Sequence, residues 1–156
     1  MKGDTQMHKD VKILLAEDDE GHTELIMKNL VRAGIVNELL HFKDGQEILD
    51  FLFRQGDGPH RKSGTAYLLL LDIRMPKVDG VQVLGKVKAD PELCKIPVIM
   101  ITTTDDPLEV EHCHALGCSS YIAKPIDYDK FVNAIRHLGL FLTVVQVPRI
   151  NGKYTA

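Results

Sequence analysis

Several reactive side chains in this sequence stand at the end of an apolar run. Glu17 and Asp18 follow Val11-Lys12-Ile13-Leu14-Leu15-Ala16, and Asp72 follows Tyr67-Leu68-Leu69-Leu70-Leu71. Thr102 follows Ile96-Pro97-Val98-Ile99-Met100-Ile101, and Lys124 follows Tyr121-Ile122-Ala123. If these runs are neighbouring strands, the carboxylates, the hydroxyl and the ammonium share one edge. Carboxylates drawn within a few ångström repel, and a hard divalent cation with oxygen ligands relieves that repulsion most directly. Magnesium suits such a place, because it takes one or two carboxylates and keeps waters for an incoming phosphate. An aspartate beside it can attack a phosphoryl donor and form an acyl phosphate, whose oxygens a hydroxyl and an ammonium can hold.

The elements that would position these groups are legible in the hydrophobic period. Short β-branched or leucine-rich runs alternate with longer helix-period stretches, the pattern of a parallel sheet covered on both faces. From about Thr23, Ile26, Leu30 and Ala33 repeat at helical spacing and Gly34 supplies a stop. A second short run, Glu38-Leu39-Leu40-His41-Phe42, leads through Asp44-Gly45 to a helix that buries Ile48, Leu49, Phe51 and Leu52. Residues 55–66, with Gly56, Gly58, Pro59, Ser63 and Gly64, break all periodicity and read as a long loop. The leucine run before Asp72 is continuous, as in a strand buried on both faces. Helices follow with Val81, Leu84 and Val87, then from about Pro107 to the stop at Gly117, and last from about Tyr128. Five strands and five helices alternate. In open parallel sheets, chemistry collects just past the carboxyl ends of the strands.

These residues together resemble the receiver domain of two-component response regulators. The resemblance rests on Glu17-Asp18, the block from Asp72 through Met75-Pro76 to Asp79-Gly80, Ile101-Thr102 and Tyr121-Ile-Ala-Lys124-Pro125, in that order. It spans residues 11–138 and implies a flavodoxin-like doubly wound fold with strand order 2-1-3-4-5. It further implies that Asp72 accepts a phosphoryl group from a histidine kinase with Mg2+ present. Asp18 would bind the metal directly, Glu17 directly or through water, and the backbone carbonyl of Arg74 would complete the protein's share. Thr102 and Lys124 would hold the phosphoryl group, Tyr121 would be the aromatic switch, and the Lys124-Pro125 bond would be cis. Glu17 replaces the commoner aspartate of the acid pair, and Arg74 is a bulky cation facing the attacking water.

Each residue alone has a plainer reading. Glu17 and Asp18 could be helix N-terminal charges, Lys124 a solvated strand end, Thr102 a cap or turn residue, and Tyr121 ordinary packing. Their joint occurrence at successive strand ends outweighs those readings. His112 and His114 point to different sides of a helix, and of the nearby residues only His114 and Cys118 have chelating spacing, so the cysteines read as small core fillers. A phosphatase of the haloacid dehalogenase type would want a second aspartate where Arg74 stands. Neither a GxGxxG nor a P-loop follows any strand. No acceptor, acid or lysine is missing, as a pseudo-receiver would require.

The chain has 156 residues, 44% apolar and 26% charged, with 22 acidic against 19 basic side chains and a formal charge of −3. That composition fits one ordinary domain and shows no basic excess for holding nucleic acid. Three cysteines without paired spacing suggest a reducing cytoplasm, and no signal peptide or membrane span is visible. The expected division is a lead at 1–10, a receiver at 11–138 and an extension at 139–156, with no output domain and no direct DNA binding. In the extension, Leu140, Phe141, Leu142, Val144, Val145 and Val147 would form an exposed apolar patch, and a homodimer through this arm would cover it. The extension and the long loop make the chain most similar to stand-alone regulators of phytochrome-type histidine kinases. A phosphorelay role, passing the group to a histidine phosphotransfer protein, is the alternative.

Overall fold

Alternation along the strands decides the layers. The computed structural model describes residues 10–32, 34–103, 106–123, 129, 133 and 148–151. In β1 (Lys12–Ala16), β3 (Thr65–Leu71) and β4 (Val98–Thr102), Leu14, Ala16, Leu69, Leu71, Val98 and Met100 enter one core. Their neighbours Ile13, Leu15, Leu68, Leu70, Ile99 and Ile101 enter another on the opposite face. These strands are buried on both sides, which is why their sequences are apolar without a break. β2 (Leu39–Phe42) and β5 (Ser120–Ala123) complete a parallel sheet in the order 2-1-3-4-5.

Helices α2 (Gly45–Phe53), α3 (Gly80–Ala89) and α4 (Pro107–Leu116) cover the first core with Leu49, Leu52, Leu84, Val87 and Cys113. Helix α1 (Glu20–Arg32) covers the second with Ile26 and Leu30. Asp129 and Asn133 are helical, where the last helix is expected. Each of the four complete helices starts on an aspartate whose carboxylate accepts from a first-turn amide: Asp19 from His22, Asp44 from Glu47, Asp79 from Gln82 and Asp106 from Leu108. The cap at Asp19 explains why α1 begins at Glu20, ahead of the Thr23 start that apolar spacing suggests.

The long loop is tightly built. The His60 ring caps the carbonyls of Gln55 and Gly56 at 3.0 Å each, and Arg61 Nε donates to the Leu52 carbonyl at 2.8 Å. Arg54 donates to the Arg61 carbonyl and to Ser63 Oγ.

A short strand near the C-terminus has no counterpart in the sequence reading. β6 (Arg149–Ile150) pairs antiparallel with the start of β3, Ile150 opposite Thr65. Ile150 is fully buried in the first core, Gly64 N–H donates to its carbonyl at 2.7 Å, and the following Asn151 N–H donates to Glu92 Oε1. The extension therefore includes residues that belong to the domain's own sheet. This pairing also starts β3 at Thr65, inside the segment expected to be loop. The arm residues Leu140, Phe141, Leu142, Val144, Val145 and Val147 lie outside the described residues. Replacing Ile150 by Ala is expected to lower folding stability by about 2–5 kcal/mol, read as a lower urea midpoint at unchanged slope; an unchanged midpoint would contradict the packing of β6.

Candidate functional site

The pairing of β1 with β3 sets the site. Ala16 stands opposite Leu71, and Asp72 N–H donates to the Ala16 carbonyl at 3.0 Å. Glu17 and Asp72 therefore leave the sheet side by side, at the point where the strand order reverses direction. One carboxylate oxygen from each of Glu17, Asp18 and Asp72 lies within 4.8 Å of the other two. Glu17 and Asp72 are buried at 1% and 6% exposure, whereas Asp18 faces solvent. Two unit charges about 4 Å apart repel by about 4 kcal/mol at an effective dielectric of about 20. A divalent cation among the three carboxylates would offset that repulsion. The donors are hard oxygens with no thiol among them, and one side is open to solvent, which fits Mg2+ better than zinc.

Local contacts shape the acids. Asp19 N–H donates to Glu17 Oε2 at 3.2 Å, and His22 Nδ1 lies 3.6 Å from Glu17 Oε1. Asp19, part of the same acidic run in the sequence, is a helix cap and not a member of the cluster.

The segment from Asp72 to Gly80 folds back against the Asp72 peptide. A Cβ on Gly80 would stand 2.0 Å from the Asp72 carbonyl oxygen and 2.7 Å from Ile73 Cα, so only glycine allows α3 to start against this peptide. Gly80 N–H donates to the Ile73 carbonyl at 2.8 Å. Asp79 and Gln82 form a reciprocal capping box, which gives the motif's second aspartate a structural role. The same loop meets α2: Lys77 Nζ lies 3.4 Å from Asp44 Oδ2, and a Cβ on Gly45 would stand 1.8 Å from the Val78 carbonyl oxygen. Arg74 lies in this loop, two residues past Asp72, with its side chain exposed.

Thr102 ends β4 fully buried, opposite Ala123 of β5, and Tyr121 lies half-buried against the first core. Lys124 and Pro125 lie outside the described residues. Cys113 and Cys118 are buried fillers of the first core, while Cys94 is half-exposed. Burial pushes the Cys113 thiol up to about 11, so it stays protonated and unreactive at neutral pH. His114 Nδ1 comes within 3.7 Å of Cys118 Sγ, but among the described residues the acidic trio is the group of three or more with metal-ligand geometry.

The fold is a doubly wound parallel sheet with an acidic cluster at its carboxyl edge, and comparison with known proteins gives the family. Residues 13–136 match the response regulator receiver domain. A receiver domain from Rhodospirillum rubrum superposes with a TM-score of 0.84 at 45% identity, covering 90% of this chain and 99% of that one. Response regulator Rcp1 of Synechocystis is 35% identical over 112 residues, 72% of this chain and 75% of its own; its Mn2+-bound structure gives a TM-score of 0.78. The phosphorylated cyanobacterial phytochrome response regulator RcpA is 29% identical with a TM-score of 0.78, covering 88% of this chain and 97% of that one. The chain belongs to the response regulator receiver family of two-component signalling, and within it is related to the phytochrome response regulators.

Replacing Gly80 by Ala is expected to lower stability by about 1–3 kcal/mol and to move the backbone amide resonances of Asp72 and Ile73; an alanine variant as stable as wild type with those resonances unmoved would contradict the contact.

Proposed function

We propose that this chain is a phosphorylation-dependent switch in which Asp72 takes a phosphoryl group from a partner histidine kinase. The convergence of the Glu17, Asp18 and Asp72 carboxylates within 4.8 Å, in a chain of the receiver family, carries this reading. Glu17, Asp18, Asp72 and the carbonyl of Arg74 would hold Mg2+. When bound, Mg2+ neutralises the crowded carboxylates and the charge on the transferred group.

The chain's own residues do the rest. A carboxylate oxygen of Asp72 attacks phosphorus as the phosphorus–nitrogen bond to the donor imidazole breaks, and the imidazole leaves with that electron pair. The Thr102 hydroxyl donates to one phosphoryl oxygen and Lys124 pairs with another, while Tyr121 follows Thr102 inward. The haloacid dehalogenase alternative lacks its acid, because the guanidinium of Arg74 does not give up a proton at neutral pH. Handing the group on to a histidine phosphotransfer protein would use the same residues.

Relation to the phytochrome regulators supports a light-sensing kinase of that class as the donor, and the output passes through phosphorylation-dependent protein contacts. Three free cysteines and relation to intracellular two-component signalling support a cytoplasmic site of action. With acetyl phosphate and Mg2+, intact mass should show one added phosphoryl group on wild type and none on Asp72→Asn. No adduct on wild type, or an equal one on the variant, would refute the reading.

A homodimer through the apolar arm is the proposed assembly. Truncation would also remove β6, so substitution is the cleaner test. Light scattering should give a dimer for the full chain and a monomer for Leu142→Glu/Val145→Glu; a monomeric full chain would refute the arm.

A further inference from the structure

Glu17 is held through both its backbone N–H and its carbonyl by the neighbouring strand. Glu17 N–H donates to the Phe42 carbonyl at 3.0 Å, an extension of the β1–β2 ladder. The Glu17 carbonyl lies 2.7 Å from Nε2 of His41, an exposed residue opposite Leu15 on β2. A carbonyl only accepts, so Nε2 carries the proton and donates. The same nitrogen lies 3.3 Å from Thr23 Oγ1, whose own proton goes to the Asp19 carbonyl at 3.0 Å. One imidazole N–H thus ties β2 to the acidic loop and to the first turn of α1.

Within the loop, Asp19 N–H donates to Glu17 Oε2, His22 N–H to Asp19 Oδ1, and Thr23 N–H to the Asp19 carbonyl. They fix the loop's internal shape. The His41 bond, with that of Glu17 N–H to Phe42, ties the loop to the neighbouring strand. The Glu17 carbonyl belongs to the peptide that joins Glu17 to Asp18, so a rotation of that peptide swings one carboxylate relative to the other. Groups that orient metal ligands tune affinity without touching the metal.

We propose that His41 is a positioning residue for the acidic site, setting through the Glu17–Asp18 peptide where two of the three carboxylates stand. The proposal rests on the Mg2+-dependent acceptor reading of that site. His41 touches neither the acceptor nor the cation position; it acts through the backbone. Because the residue is exposed, its replacement leaves the cores intact.

Calorimetric titration of the full chain with Mg2+, without any phosphoryl donor, tests this on wild type, His41→Ala and His41→Gln. The alanine variant should bind Mg2+ about three- to tenfold more weakly, the range that one hydrogen bond of ordinary net strength supports. Its phosphorylation by acetyl phosphate should fall by a similar factor at low Mg2+ and climb back as Mg2+ is raised. The glutamine variant, whose amide N–H can reach the same carbonyl, should recover most of the affinity. Equal Mg2+ affinity in wild type and His41→Ala, or no recovery in His41→Gln, would overturn the proposal. Wild type that binds no Mg2+ would instead overturn the acceptor reading, and the proposal with it.

Discussion

Like-charge crowding at one sheet edge is the constraint on which the rest of this structure depends. Glu17, Asp18 and Asp72 would separate if the chain let them, since each gains by reaching water alone. The β1–β3 ladder does not let them: with Ala16 opposite Leu71, the next residue on each strand is an acid. The apolar strands supply the force that holds this arrangement, each fully buried leucine contributing roughly 1.5–3 kcal/mol. Leu14, Leu15 and Leu68 to Leu71 are all at or near zero exposure. A core of this density can carry a local electrostatic cost at its rim.

The loops beyond the strands convert crowding into a defined site. Two glycines let backbones meet where no side chain fits, Gly80 against the Asp72 peptide and Gly45 against Val78. Aspartate caps close each of the four complete helices at its start. In this acid-rich chain most of the aspartates around the site are therefore structural, and the group with ligand geometry is smaller than the acidic sequence runs suggest. The grip of β2 on the Glu17 peptide adds a second strand to the control of the acids. The site is open to solvent at Asp18, while Glu17 and Asp72 are buried.

Much of the fold was legible because each signal was local. Uninterrupted apolar runs marked the central strands, 3.6-residue spacing marked the helices, and Gly117 stopped α4 where it was expected. The acid pair and Asp72 were legible as neighbours because each directly follows such a run. Other features were not. β6 is two residues long, too short for any period, and its partner at Thr65 and Ala66 lies more than eighty positions earlier. The loop read at 55–66 looked formless because its order comes from Arg54, His60 and Arg61 reaching backbone carbonyls, contacts that no pattern of hydrophobicity records.

By itself, the sequence determined which side chains end each strand and that the strands are buried on both faces, because those facts follow from residue order and the period of side-chain direction. Only the tertiary structure decided that three acids meet within 4.8 Å while Asp19, Asp44, Asp79 and Asp106 serve as caps. It alone placed His41 on the Glu17 carbonyl and returned Ile150 to the first core. The physical reason is the same in each case: register between strands and the approach of one loop to another depend on the packing of distant segments, and a carboxylate's role depends on what stands within a few ångström of it.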